Sequence, residues 1–387
     1  MITRATKGLR QMRGLATVAA APPQQVKTGI VMMNMGGPSD PKETGAFLKR
    51  LFTDSDIIDL GGGRMQETFG NIVAKRRTPR ITEQYEQIGG SPIRKWTEFQ
   101  GQELAKIMDQ IRPESAPHKA YVAFRYAAPL TEETLEQMKR DGVQRAVAFS
   151  QFPQWSCTTT GSSLNELWRQ LRRMKLENLF QWSIIDRWPT NPTYVKAICE
   201  RIEERLEDMT AKKKTPPVVV FSAHSVPMKV VKKGDPYTNE VAATVRSVMD
   251  QIIARFEGTK KTVPKHILAW QSKVGYLPWM VPSTSEAIEE LAKAGHKSLL
   301  VVPVAFTSDH IETLFEIDME YRHLASEKGI ESFAMTEGLN GSKTFVKALA
   351  EICADHLDRQ VNYSPQYKMK CLGCEKPYCR GIVNAAY

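Results

Sequence analysis

The chain has 387 residues, which is long enough for two domains with a sizeable core. Its 42% hydrophobic and 25% charged residues are typical of an ordinary globular protein, and no apolar run reaches the roughly 18 residues that a bilayer-spanning helix needs. The formal net charge of +10 suits an anionic surface or substrate, but no basic run is interleaved with aromatic residues, so we expect no nucleic-acid partner.

The first 27 residues differ from the rest of the chain. They contain five basic residues and no acidic one: Arg4, Lys7, Arg10, Arg13 and Lys27. An arginine-rich, acid-free N-terminus predicts a mitochondrial presequence, and we therefore set residues 1–27 aside from the fold. A disordered basic tail is the alternative interpretation.

Residues 28–190 are predicted to form a first domain in which strands alternate with helices. Strands are expected at 28–35, 120–126 and 145–151, and helices at 42–51, 96–110, 131–141 and from about residue 162 onward. The glycine-rich stretch 54–70 is expected to be a surface loop that borders the active site. This alternation is typical of an open parallel sheet.

The pattern breaks at residues 189–192 and restarts, so we place a second domain at 191–341. Its strands are expected at 218–224, 266–271 and 298–306, and its helices at 194–209, 239–257 and 285–294. Residues 342–387 are expected to form a closing helix and a separate C-terminal extension. The predicted fold class is α/β, with two doubly wound Rossmann-like domains, a cleft between them and a cysteine-bearing extension.

One predicted strand ends in a histidine. The sequence VVVFSAHSVP runs from a buried apolar segment into a turn that contains His224. In an open parallel sheet, ligands bind at the carboxyl edge of the strands. His224 is therefore a candidate site residue, although a solvated or core histidine in a tight turn would give the same pattern.

A second strand has the same design and ends at Asp309, His310 and Glu312. Asp309 and Glu312 also fit a helix capping box, and Glu312, Glu316 and Glu320 share the spacing of an ordinary solvated helix face. Two strands that each deliver a histidine to the same edge, one of them beside carboxylates, nevertheless indicate a cleft for proton transfer or metal handling.

Three of the six cysteines are clustered near the C-terminus as Cys371, Cys374 and Cys379. Their C-x2-C-x4-C spacing can converge on one metal centre, and Cys157, in a loop-like stretch, is the candidate fourth ligand. Cys199 and Cys353 lie in helical patterns and are expected to be buried apolar residues. The spacing leaves zinc, an iron–sulfur cluster and an unligated tail open.

With these residues assembled, nearly the whole chain after residue 27 resembles the ferrochelatase family. The matching stretches are NMGGP (34–38), KRRTP (75–79), AFRY (123–126), SCTTTGSSLN (156–165), IDRWPT (185–190), FSAHSVPM (221–228), GDPY (234–237), WQSKVG (270–275) and PVAFTSDHIETL (303–314). The resemblance implies insertion of Fe²⁺ into protoporphyrin IX, which yields haem b and releases two protons.

The resemblance also implies roles for individual residues. His224 would accept the pyrrole protons, and the row Asp309, His310, Glu312, Glu316 and Glu320 would carry iron or protons. The porphyrin and its propionates would contact Met35, Tyr85, Ser91, Arg125, Tyr126, Trp188 and Trp279. The extension would bind a [2Fe-2S] cluster through Cys157, Cys371, Cys374 and Cys379.

The same resemblance implies a homodimer in peripheral contact with the matrix side of the mitochondrial inner membrane. Two segments depart from the family pattern: the loop at Gly89, Gly90 and Ser91 has one glycine fewer, and residues 61–70 are richer in glycine. The alternatives are a chelatase for another tetrapyrrole, a non-catalytic porphyrin- or iron–sulfur-binding protein on this scaffold, and a nucleotide-binding enzyme. Only Gly36 and Gly37 favour the last, and their spacing does not fit.

Overall fold

The computed structural model describes residues 26–58, 63–212, 216–275, 277–374 and 376–383. The predicted presequence therefore lies almost entirely outside the described residues. Within them, the chain forms two parallel four-stranded sheets flanked by helices. This confirms the predicted α/β fold class.

The two sheets have the same strand order. The first is β2–β1–β3–β4 and the second is β6–β5–β7–β8, and every pairing is parallel. The strands are β1 (Thr28–Asn34), β2 (His118–Phe124), β3 (Arg145–Ser150), β4 (Gln181–Ile185), β5 (Val218–His224), β6 (His266–Gln271), β7 (Ser298–Pro303) and β8 (Ser332–Met335).

Helices connect the strands and cover the faces of both sheets. They are α1 (Thr44–Thr53), α2 (Gly63–Gln87), α3 (Ile93–Ile111), α4 (Thr131–Arg140), α5 (Ser162–Met174), α6 (Pro192–Lys212), α7 (Met228–Lys232), α8 (Tyr237–Phe256), α9 (Thr284–Lys293), α10 (Arg322–Glu327) and α11 (Lys343–Asp358). Two segments are π-helical, Cys157–Gly161 before α5 and Glu312–Tyr321 before α10.

The largest hydrophobic core joins the two sheets. Phe149 of the first sheet and Phe221 of the second belong to one buried cluster with side chains from α3, α6, α8 and α11. Gln100 on α3 donates hydrogen bonds to the carbonyl oxygens of Thr307 (3.3 Å) and Asn340 (2.9 Å), so polar contacts also link the two halves. The relative position of the two carboxyl edges is thereby fixed by packing.

The switch points of the two sheets locate the cleft. Successive strands are added first on one side of β1 and then on the other, so the strand order switches between β1 and β3, and in the second sheet between β5 and β7. A crevice outside the carboxyl ends of the strands forms at such points. His224 at the end of β5 and the segment after β7 both lie there.

Three elements differ from the sequence-based expectation. The 25-residue helix α2 begins at Gly63, inside the stretch 54–70 that was expected to be a loop. It was not predicted because its few buried residues make no apolar stripe that periodicity could reveal. The edge strands β4 and β8 were not predicted, since they are short and partly exposed.

Candidate active site

His224 is held at the carboxyl end of β5 with one ring nitrogen already engaged. Its Nδ1 lies 2.6 Å from the carbonyl oxygen of Ser225, so Nδ1 carries the proton and donates it there. The other nitrogen, Nε2, is therefore the one that can accept a proton when the imidazole is neutral. The side chain is 38% exposed, which keeps Nε2 accessible from the cleft.

Glu312 lies between two histidines. Its Oε1 is 3.8 Å from His224 Nε2, and its Oε2 is 3.7 Å from His310 Nε2. Burial acts to raise the pKa of Glu312, but the charge of His224 and contact with His310 outweigh it and hold that pKa below its usual range. The arrangement is an ionised carboxylate in reach of two imidazoles, which can accept, stabilise and pass on a proton.

Asp309 is fixed by neighbouring residues. Asn340 donates from Nδ2 to Asp309 Oδ2 at 2.6 Å and accepts the Asp309 backbone N–H at 2.9 Å, while Thr313 donates to Oδ1 at 3.1 Å. The capping box is not formed, because the π-helix begins after Ile311 without a side-chain cap. The side chain of Glu312 is thereby left to face the histidines.

Glu316 and Glu320 lie farther along the π-helix and differ in how many of their oxygens are already bound by other residues. Glu316 accepts hydrogen bonds from the Ser272 N–H (2.8 Å), the Ser272 hydroxyl, Gln271 Nε2 (3.3 Å) and the Tyr321 hydroxyl (2.8 Å). These bonds hold Ser272 in a left-handed backbone conformation, with φ of 62°. Glu320 is more exposed, and burial together with Glu316 raises its pKa.

Arg125 and Tyr126, which follow β2, are bound to an acidic residue that the sequence analysis missed. Asp54 Oδ2 lies 3.0 Å from Arg125 Nη2 and accepts the Tyr126 hydroxyl at 2.6 Å and the Ser162 hydroxyl at 2.9 Å. Glu166 lies 3.6 Å from the same Arg125 nitrogen. Burial and Asp54 raise the pKa of Tyr126, so its hydroxyl remains protonated.

The NMGGP motif shapes the loop around Ser91. Gly36 has φ of +78°, and a Cβ there would approach the Phe124 ring to 2.8 Å. A Cβ at Gly37 would lie 2.5 Å from the Ser91 hydroxyl. Within the described residues the Ser91 Oγ is buried and has no hydrogen-bond partner. A hydroxyl whose hydrogen-bond partner is a ligand would have this environment.

The predicted aromatic contacts are divided between cleft and core. Tyr85 on α2 is buried, and burial together with the charge of Glu312 raises its pKa. Trp279 pairs with Pro227 in an isolated bridge, and its indole N–H is buried without a partner in the described chain. Trp188 instead packs in the shared core against Tyr194 and donates to the Ser150 carbonyl. Met35 follows β1 and packs against the cluster that contains Phe124 and Tyr126.

The extension places Cys371 and Cys379 near enough to Cys157 to act on its thiol. Burial raises the pKa of the Cys157 thiol, and its neighbours Asp235, Cys371 and Cys379 add to the increase. No group of three or more histidine, cysteine or acidic side chains in the described ranges is arranged to hold a metal ion. Cys199 and Cys353 are fully buried, as predicted.

A buried cation adjoins these cysteines. Arg380 is 3% exposed and hydrogen bonds to Cys371, while its Nε and Nη1 are buried without a partner among the described residues. Its guanidinium stacks over Trp155 and Tyr367. An uncompensated buried cation is costly, and an anionic group bound by thiolates would offset it. The buried Arg380 therefore favours an anionic group bound at these cysteines.

Several residues of the site carry no sequence signal. Asp54, Asn340 and Ser272 act through partners that are distant in sequence. Only the turn Asp54–Ser55–Asp56 offered a signal, as two carboxylates at the start of the stretch 54–70, which was predicted to be a loop bordering the active site.

Known proteins are similar to this chain over most of its length. The family profile described as Ferrochelatase matches residues 27–357. The chain is 46% identical to the mitochondrial ferrochelatase of Bos taurus, covering 98% of this chain and 92% of that protein. It is 49% identical to that of Schizosaccharomyces pombe, covering 92% and 82%. Among solved structures, SirB from Bacillus subtilis with Fe3+ aligns at a TM-score of 0.46 and 11% identity, over 87% of this chain and 100% of that one. The chain belongs to the ferrochelatase family.

Proposed function

We propose that this protein inserts Fe²⁺ into protoporphyrin IX to give protohaem, with release of two protons, as the last step of haem synthesis. The observation that carries the proposal is the contact of His224 and His310 with one ionised carboxylate, Glu312, at the carboxyl edge of the second sheet. Membership of the ferrochelatase family supports the same reaction.

His224 is the proposed base. A porphyrin must lose two pyrrole N–H protons as the metal enters its plane, and a base on one face has to accept them. His224 Nε2 is suited to this role because Nδ1–H is committed to the Ser225 carbonyl. Each proton would form a new N–H bond at Nε2, and the electron pair left on the pyrrole nitrogen would bind iron.

Glu312 and His310 are proposed to accept the proton from His224 and pass it on. The lowered pKa of Glu312 keeps it ionised at neutral pH, so it stabilises the imidazolium that forms when His224 is protonated. His310, on the other oxygen of the same carboxylate, offers the next acceptor. The second pyrrole proton can then follow the first by the same route.

Carboxylate recognition is assigned to residues of the first half of the chain. The unpartnered Ser91 hydroxyl and the Arg125 guanidinium are the proposed contacts for the porphyrin propionates, with Met35, Tyr85, Tyr126 and Trp279 around the ring. Trp188 would support the pocket from the core.

The remaining acidic residues are proposed to deliver iron. Oxygen ligands hold Fe²⁺ loosely enough to release it. Glu320 is the more available of the pair because Glu316 accepts several hydrogen bonds, and Asp309 lies closest in sequence to the histidine–carboxylate cluster.

Cys157, Cys371, Cys374 and Cys379 are the proposed ligands of a [2Fe-2S] cluster, and the unpaired Arg380 supports an anionic group there. Such a cluster supplies one-electron redox chemistry, which metal insertion does not require. Its proposed contribution is to fasten the extension to the body of the protein.

The mitochondrial location follows the names of the relatives. We extend it to peripheral contact with the matrix face of the inner membrane and to a homodimer. Membrane contact is supported by exposed apolar side chains, Met65, Phe69 and Ile72 on α2 and Leu277 and Val281 after β6. The helices of the described ranges include none with the length and hydropathy needed to cross a bilayer.

Anaerobic mixing with Fe²⁺ and protoporphyrin IX tests the proposal. Loss of porphyrin fluorescence with a matching gain of haem absorbance is the expected result. Binding of the porphyrin without metal insertion would overturn it in favour of a non-catalytic scaffold, and insertion only into a different tetrapyrrole would reassign the substrate.

A further inference from the structure

Asp56 fastens the C-terminal extension to the body of the protein. Its side chain is buried, and its Oδ1 accepts hydrogen bonds from Lys376 Nζ (3.0 Å) and the Tyr378 hydroxyl (2.9 Å). On the other oxygen, Oδ2, it contacts Arg169 Nη1 at 3.1 Å and Asn165 Nδ2 at 3.4 Å. One carboxylate therefore binds the extension on one side and α5 on the other.

Asp56 is joined to Asp54 by the backbone. The Asp56 N–H donates to Asp54 Oδ1 at 2.9 Å, which leaves Asp54 Oδ2 for Arg125, Tyr126 and Ser162. Both carboxylates are almost fully buried, with 4% of the Asp54 side chain and 2% of the Asp56 side chain exposed. The three contacts that lead from Lys376 through this turn to Arg125 measure 3.0, 2.9 and 3.0 Å, the ordinary length of an N–H···O hydrogen bond or a close ion pair.

We propose that the Asp54–Asp56 turn is a positioning element that transmits docking of the C-terminal extension to the Arg125 guanidinium, and so sets the affinity for a porphyrin that carries carboxylates. This inference rests on the proposed function, because it uses Arg125 as a propionate contact. Asp54 is a positioning residue, since it acts through Arg125.

The sign of the change in porphyrin affinity on removing the charge of Asp54 distinguishes two roles of this residue. Asp54 partly neutralises Arg125 and also fixes its plane. If neutralisation dominated, removing the charge of Asp54 would strengthen binding of an anionic ligand. If positioning dominates, binding weakens, because the planar fork of an arginine recognises a carboxylate only in a defined orientation.

The experiment is equilibrium binding of protoporphyrin IX and of its dimethyl ester, in the absence of iron, measured by fluorescence. For Asp54→Asn we expect binding of the diacid to weaken roughly tenfold, the size of one charge-assisted hydrogen bond, while binding of the diester changes less than about twofold. For Lys376→Met combined with Tyr378→Phe we expect the same selective loss, about threefold.

Matched controls separate positioning from structural damage. Asp141→Asn removes a carboxylate that accepts bonds from Lys119, Tyr121 and Gln137 elsewhere in the same half of the chain. Lys368→Met removes an exposed cation of the extension. Both should bind the two porphyrins as the wild type does, and the iron and sulfide content of every variant is measured alongside.

The proposal is overturned if Asp54→Asn binds the diacid as tightly as the wild type or more tightly, or if either test variant loses affinity for diacid and diester equally. Because binding is measured without iron, a wild-type protein that binds porphyrin but inserts no metal overturns the proposed reaction alone. A wild type that binds neither porphyrin overturns both.

Discussion

His224 and Glu312 come from different strand ends and meet with Nε2 and Oε1 3.8 Å apart. The contact pairs the free nitrogen of an imidazole with a carboxylate that stays ionised. It depends on β5 and β7 lying side by side, so that the turns after both strands open on the same edge of the sheet.

Glu312→Gln should make stability less sensitive to acid. The folded-state pKa of Glu312 lies below its usual value, so its contribution is present above the unfolded pKa of about 4.3 and is lost as pH falls through the folded pKa. We therefore expect the free energy of unfolding to fall less steeply in the variant than in the wild type on acidification from about pH 5 to pH 3. Denaturant unfolding at several pH values measures this.

Glu320→Gln is the control in the same helix and should act in the opposite direction. Burial and Glu316 raise the folded-state pKa of Glu320, so the wild type gains stability when this group binds a proton, and the variant loses that gain. Its stability should fall more steeply with acid than that of the wild type. Identical slopes for the two variants would contradict the electrostatic assignment.

Ser91→Ala should weaken binding of protoporphyrin IX without lowering the stability of the fold. The hydroxyl is buried without a partner in the described chain, so its removal should leave the free energy of unfolding unchanged or raise it by up to about 1 kcal/mol. Binding of protoporphyrin IX should nevertheless weaken roughly tenfold, because a donor to the propionate is lost. Calorimetry and fluorescence titration measure the two effects.

Ser150→Ala provides the comparison for Ser91. The Ser150 hydroxyl lies 2.7 Å from that of Thr160, and its loss should cost about 1–3 kcal/mol because Thr160 would be left unpaired. An equal loss of stability in both variants, with porphyrin binding intact in Ser91→Ala, would show that Ser91 is merely structural.

Cys374→Ser should abolish a [2Fe-2S] cluster in anaerobically prepared protein. We expect loss of the visible absorbance and of the iron and acid-labile sulfide, because one of four proposed ligands is removed. Cys353→Ala is the matched control, since this buried cysteine belongs to the hydrophobic core. If Cys374→Ser retained full iron and sulfide, the proposed ligand set would be wrong.

Replacement of Met65, Phe69 and Ile72 by glutamine should weaken binding to anionic phospholipid vesicles by roughly tenfold or more, because exposed apolar area on α2 is lost. Cosedimentation measures this. The control replaces Ile111, Leu179 and Ile253, which are also exposed but lie on other elements. Equal losses in both triple variants would indicate non-specific adhesion instead of a docking surface.

The sequence predicted the parts of the fold that have a strong local pattern. Strands such as β5 and β7 are continuous apolar runs buried on both faces, and the small polar residues after them mark the carboxyl edge. Helix α2 was missed because its buried residues, such as Gln66 and Gly70, are not an apolar stripe. The strand β8 was missed because it is short and mostly half-buried.

The same distinction applies to the site. His224, His310 and Glu312 could be predicted because strand ends converge in a parallel sheet. The engagement of Glu316 with Ser272 and Tyr321 could not, because it depends on the π-helix and on a left-handed residue. Likewise, the bond from Asp54 to Arg125 joins segments whose pairing is decided only by packing.

The most direct test of the site is the rate of haem formation in His224→Ala beside His323→Ala, an exposed histidine outside the cleft. The proposed base predicts a fall in kcat of at least about a hundredfold for His224→Ala, with porphyrin binding retained and His323→Ala unaffected. If His224→Ala inserted iron at the wild-type rate, His224 would not be the base, and the role assigned to its contact with Glu312 would be contradicted.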